Sequence, residues 1–137
     1  MKDKVIWLRL SCWTGAVIDA LAALLLTIPE FAVWFSGVDL PLDWPAFRTS
    51  NAQAAALMWG WTLLLVWADR RPVERRGVVA LTIFPVLACL ATSRVQEILI
   101  YQAPLERYLP VLFLQLGLVT LFGYSLWVNR KAPSSLW

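Results

Sequence analysis

The sequence predicts an all-α fold, a bundle of four membrane-spanning helices with both termini in the cytoplasm. Three observations carry that expectation. Of the 137 residues, 60% are hydrophobic and only 15% are charged, a balance outside that of ordinary soluble domains. Apolar stretches long enough to cross a bilayer, about 20 residues each, can be drawn four times. Between the second and third lies one short charged hairpin, Trp67 to Gly77, with four arginines in seven residues. A loop this short makes its flanking helices antiparallel neighbours, and its arginines mark the cytoplasmic side.

The chain reads as a single integral membrane domain, residues 1–137. Helices are expected over 5–28, 50–68, 73–102 and 108–128, with an outer loop over 29–49 and the cytoplasmic hairpin over 69–77. With the hairpin inside, the cytoplasmic face holds Lys2, Lys4, Arg9, Arg70, Arg71, Arg75, Arg76, Arg130 and Lys131, nine basic residues. The outer face keeps Arg48, Arg94 and Arg107. The net charge of +3 is thus topogenic. No basic face with interleaved aromatics lies outside the membrane, so no nucleic-acid partner is expected.

The first apolar run contains Asp19 and ends in Thr27-Ile-Pro-Glu, without the small-residue cleavage site of a signal peptide, so it is expected to remain as helix 1. Ser11, Gly15, Asp19 and Ala22/Ala23 recur along it at helical spacing, a small-residue stripe that lets membrane helices pack closely. The connection from Pro29 to Ser50 carries Phe31, Trp34, Phe35, Trp44 and Phe47. These suit a segment at the outer interface, where aromatic rings settle at headgroup depth, or a lid over a site.

Helix 2 offers a second small stripe, Ala52, Ala56 and Gly60. Pro72 suits the opening of helix 3, where a missing N–H costs nothing. Pro85 near the middle should kink that helix, and Ala103-Pro104 marks its end. The clean apolar part of helix 3, residues 78–92, is short. Helix 4 opens near Pro110, and the tail from Ala132 to Trp137 reads as a disordered end.

Several chemistries are excluded or lack a handle. Histidine is absent, so neither a histidine-held haem nor a His-based metal site can form. Cys12 and Cys89 cannot build a zinc site alone. They also fall at different depths, which argues against a disulfide, and read as small buried residues. No glycine-rich phosphate loop or Ser/His or Cys/His nucleophile pair is present. No cofactor is expected.

One pattern rises above composition when polar residues are placed by depth. At 1.5 Å rise per residue, Asp19 lies roughly 21 Å from the inner boundary, Gln53 about 22 Å, Arg94 about 25 Å and Gln115 about 20 Å. Asn51 and Ser93 share that slab, and Glu97 is one turn further out beside Arg94. An ionisable group at such depth normally faces the bundle and finds a partner. One reading is a structural Asp19–Arg94 pair braced by amides, which fixes helix register. The other is a pocket formed by Asp19, Gln53, Arg94, Glu97 and Gln115 that binds a small molecule, lipid headgroup or proton. A third leaves Arg94 at the headgroup surface, unconnected to Asp19. The tryptophans divide similarly: Trp7, Trp67 and Trp127 suit an inner belt, and Trp34 and Trp44 an outer one. Trp13, Trp59 and Trp61 lie deeper, where they fill gaps or line a cavity able to hold a cationic or planar ligand.

The hairpin Gly60-Trp-Thr-Leu-Leu-Leu-Val-Trp-Ala-Asp-Arg-Arg-Pro-Val-Glu-Arg-Arg resembles one recurring in small bacterial four-span membrane proteins, similar in size and layout to DoxX-like proteins. The resemblance implies a bacterial inner membrane and the four-helix layout, and it assigns no functional residue. Three function classes follow. The first is a non-enzymatic bundle whose partners are the bilayer and either a small apolar ligand or another membrane protein. The second is a membrane isomerase or cyclase, the arrangement implied for proteins resembling the emopamil-binding group. In it, Asp19, Glu30 and Glu97 act as acids beside carbocation-stabilising tryptophans. Pro29-Glu30 followed by Trp34-Phe35 is also similar to small lycopene cyclases. The third is a proton-coupled exporter, since small multidrug-resistance transporters resemble this chain in having four spans and one helix-1 acid. Against the third stand the nine-to-three charge bias and the long 29–50 connection.

Overall fold

A computed structural model describes residues 2–36, 43–100, 102 and 105–130. Loop residues 37–42, the Ala103-Pro104 step, the tail from Lys131 and the side chains of Phe35, Glu97 and Arg107 lie outside the described residues. Among those described there is no strand. Five helices follow one another: α1 (Lys2–Thr27), α2 (Pro29–Ser36), α3 (Pro45–Asp69), α4 (Arg76–Ile100) and α5 (Leu105–Asn129).

Proline and the membrane-like composition explain most of these limits. α1 stops where Ile28 precedes Pro29, because the proline ring disfavours helical geometry at the residue before it. The same proline then opens α2, whose first turn carries Glu30, favourably placed at a helix N-terminus. Pro45 opens α3 in the same way, upstream of Ser50 where the apolar run begins. Pro72 opens no helix. It sits in the turn before α4, which starts at Arg76, and the turn is closed by the Arg75 N–H to the Arg71 carbonyl at 3.0 Å.

Pro85 acts on α4 by widening it. Residues Thr82–Leu87 form a π-helical turn, and the Ala88 N–H reaches back to the Ile83 carbonyl, one residue further than in an α-helix. Proline lacks a donor and crowds the carbonyl four residues earlier, and a π-turn relieves both. Pro110 lies inside α5 rather than at its start.

Three helices are long and apolar enough to cross a membrane: Val5–Thr27, Arg76–Ile100 and Tyr108–Asn129. α3 matches them in length but is less apolar, since Asn51, Gln53 and three tryptophans interrupt its aliphatic run. Large apolar side chains cover the helices outwardly; Leu57, Phe84, Leu99 and Phe113 are each more than two-thirds exposed. Patches of that kind mark membrane or partner surfaces. Hydroxyls within the helices bond back to the carbonyl four residues earlier, as Ser11 does to Trp7 and Thr120 to Leu116. This local bond satisfies the hydroxyl within its own helix.

The chain divides into two compact units. One combines Met1–Cys12 with Ala68–Trp137, and the other is Trp13–Trp67. In the first, α4 packs on α5, and Leu8, Cys12, Val79, Leu118 and Phe122 are buried. Two side-chain clusters tie its polar end together. Arg9 grips Asp69 with two parallel bonds, and Arg76 donates to the Asn129 carbonyl at 2.8 Å. Asn129 ends α5, so Arg76 satisfies one of the carbonyls that a helix C-terminus leaves open. At least two basic residues expected to be topogenic therefore also hold the fold. Cys12 and Cys89 are free thiols. Cys12 is buried as expected, but Cys89 is exposed, just after the π-turn of α4.

In the Trp13–Trp67 unit, Gly15, Ala16 and Ala23 are buried along α1, so part of the helix-1 small stripe is a packing face. The helix-2 stripe is not: Ala52, Ala56 and Gly60 are exposed, and a Cβ added at Gly60 would meet nothing within 4 Å.

Candidate functional site

What the alanines of α3 do instead is leave room. A cleft of about 410 Å³ opens where α1 ends and α2 begins, against the first half of α3. That volume falls in the usual range of small-molecule sites. α3 contributes Arg48, Asn51, Ala52, Ala55, Ala56 and Trp59. Their spacing alternates between three residues and one, the pattern of a single helical face. α1 and α2 supply Leu26, Thr27, Pro29 and Glu30.

The cleft is built by hydrogen bonds from α3 to the end of α1. Asn51 Nδ2 donates to the Leu26 carbonyl at 2.7 Å, one of the last carbonyls of α1 and so in need of a donor from elsewhere. Trp59 Nε1 donates to Thr27 Oγ1 at 3.1 Å. That hydroxyl in turn donates to the Ala23 carbonyl at 2.7 Å, so it uses both its acceptor and its donor. These contacts hold the wall rigid without consuming the space.

At the mouth, Arg48 Nη2 and Glu30 Oε1 stand 3.5 Å apart, with both side chains more than half exposed. The rim therefore carries one charge of each sign, and the Ala52–Ala55–Ala56 wall below it is apolar. Beside it on α2, Phe31 and Trp34 stack with ring centroids 5.6 Å apart.

Of the side chains that the sequence singles out, Glu30, Asn51 and Trp59 line this cleft. Gln53 points off the lining face of α3 and is exposed, and Trp61 is half-buried. Asp19 is half-buried on α1, and its Oδ2 is buried without a hydrogen-bond partner among the described residues. Arg94, Glu97 and Gln115 belong to the other unit. There the Arg94 guanidinium lies over the Tyr108 ring, 5.6 Å from its centroid. Gln115 is buried on α5, and its Oε1 accepts no hydrogen bond among the described residues.

The unit of Met1–Cys12 and Ala68–Trp137 has a cavity of a different kind, an open apolar groove of about 540 Å³ along Trp7, Phe113, Gly117, Thr120 and Tyr124. Trp7 meets Tyr124 edge-on at 5.1 Å along its side. Its lining offers no charge to orient a ligand.

Reading the sequence missed Arg48, Thr27 and Glu30 as neighbours. The signal is present in the 48–51–52–55–56–59 spacing on α3, but by charge count Arg48 bears only on topology. Comparison with protein-family models, curated proteins and solved structures yields no match.

Proposed function

We propose that this chain is a four-span integral protein of a bacterial inner membrane, and that it binds a small amphiphile without transforming it. In this role it is either a lipid- or ligand-binding protein or the accessory subunit of a membrane assembly. The observation that carries the binding role is the α1–α2–α3 cleft, with an alanine wall below and a carboxylate and a guanidinium at its rim. Small-molecule sites combine a mostly apolar lining with a few convergent polar groups in this way.

The fourth span is α3. Its 25 residues are long enough to cross, and Asn51 on its cleft-lining face already has a partner in the Leu26 carbonyl. Charge supports the same conclusion. If α3 did not cross, the arginines of 70–76 and the basic N-terminus would fall on opposite sides, against the positive-inside bias. Both termini and the hairpin are therefore assigned to the cytoplasm.

The test is to isolate the protein in mild detergent and identify what it retains by mass spectrometry. Wild type should retain an amphiphile that Ala56→Phe, which fills the cleft, does not. Equal retention by both proteins rejects the cleft as the site.

A second reading, a membrane isomerase or cyclase, is favoured by one feature: Glu30 and Trp59 line the same cleft, an acid and an aromatic face together. Turnover of a polyene or sterol-like substrate, lost in Glu30→Gln, would select it.

A further inference from the structure

The rim of the cleft specifies more than an amphiphile. We propose that it receives the headgroup of a zwitterionic phospholipid, an aminophospholipid whose phosphate meets Arg48 and whose ammonium meets Glu30. This rests on the membrane-spanning, ligand-binding reading above.

The first argument is depth. α1 is apolar over Val5–Thr27, so Thr27 marks the point where a spanning helix leaves the hydrocarbon. The cleft lies at that point: Thr27 and Pro29 line it together with Glu30 and Arg48. Its charged mouth is then at headgroup level and its alanine wall descends toward the acyl region. A volume of about 410 Å³ takes a headgroup and leaves the acyl chains in the bilayer.

The second argument is charge. A guanidinium presents a planar fork of donors suited to phosphate oxygens, whereas a carboxylate only accepts and is suited to an ammonium. Glu30 and Arg48 stand at 3.5 Å with both side chains more than half exposed. An exposed pair at that distance contributes little to stability, so a ligand can part it without a large penalty. A zwitterion does so while leaving each protein charge opposite a counter-charge. An anionic lipid would satisfy Arg48 but bring no ammonium to Glu30, which leaves the carboxylate without a counter-charge and its repulsion of the phosphate uncompensated. The same carboxylate thus acts as the selectivity element between two lipids of similar shape.

The experiment uses native mass spectrometry on the full chain in mild detergent. The probes are phosphatidylethanolamine, phosphatidylglycerol and the headless diacylglycerol. Wild type should hold phosphatidylethanolamine about tenfold over phosphatidylglycerol. Glu30→Gln should bring that ratio to about one, and Arg48→Gln should lower retention of both phospholipids toward that of diacylglycerol. A wild type without preference, or a preference unchanged in Glu30→Gln, overturns the headgroup assignment. Displacement of the lipid by an equal concentration of soluble phosphoethanolamine would overturn the phospholipid as occupant and make a soluble zwitterion the ligand. Ala56→Phe separates this from the broader reading. If it removes bound lipid while the charge variants change nothing, the cleft binds amphiphiles without reading their heads. If it removes none, both the headgroup assignment and the binding role of the cleft fall. Both charged side chains are exposed, and thermal unfolding of each variant checks that its fold is retained.

Discussion

Arg9 and Asp69 meet as a two-pronged ion pair, Nε to Oδ1 at 3.0 Å and Nη2 to Oδ2 at 3.1 Å. They join the first third of α1 to the last residue of α3. The two ends differ: the Arg9 side chain is 58% exposed and that of Asp69 only 10%. Losing Arg9 removes both bonds that the buried carboxylate accepts from it, whereas losing Asp69 leaves an arginine able to reach solvent along its flexible stem. Arg9→Gln should therefore lower the thermal midpoint in detergent more than Asp69→Asn does. The double variant should recover part of the Arg9→Gln loss. Equal losses in the two single variants would show that the pair is not buried on one side.

The topology can be read directly. Reporters fused at Val73 and at Trp137 should both give a cytoplasmic signal, and Asp43→Cys should react with an impermeant thiol reagent added from outside. With Val73 cytoplasmic, a protected Cys at position 43 would put both ends of α3 on one side and mean that α3 does not cross.

Two glycines should respond in opposite ways. Gly15 is buried on α1, so Gly15→Leu should overpack the site and cost about 1–3 kcal/mol, while Leu25→Val is mild. Gly60 has open space where a Cβ would stand. Gly60→Ala should therefore stabilise α3 by roughly 0.5–1 kcal/mol, since glycine is a poor helix former. Thermal unfolding in one detergent compares them, and a tolerated Gly15→Leu would remove the stripe from the packing of helix 1.

The amides of α3 are a matched pair for testing the cleft. Asn51 donates to the Leu26 carbonyl at 2.7 Å, whereas Gln53, two residues on, is exposed. Asn51→Leu should cost about 1–2 kcal/mol, the loss of a bond plus an abandoned acceptor. Gln53→Leu should cost nothing measurable. If the two variants unfold alike, Asn51 does not hold the end of α1.

Sequence alone determined the helical class and the long apolar segments, because both follow from composition and from distances along one chain. It also located Pro85 as a fault in its helix, since a missing N–H acts locally whatever surrounds it. Which polar residues meet was decided only in three dimensions. Depth singles out Asp19 as the helix-1 acid, yet the acid held by two parallel bonds is Asp69, which in the sequence is one more charge in an arginine-rich turn. Arg48 had been counted as a stray outer cation, and the fold sets it opposite Glu30. Ala52 and Ala56 had suggested close helix contact, and they instead border an opening. Periodicity reports which side chains share a face of a helix. It cannot report what that face meets, because that depends on where the chain turns back and which distant backbone groups are left needing a partner.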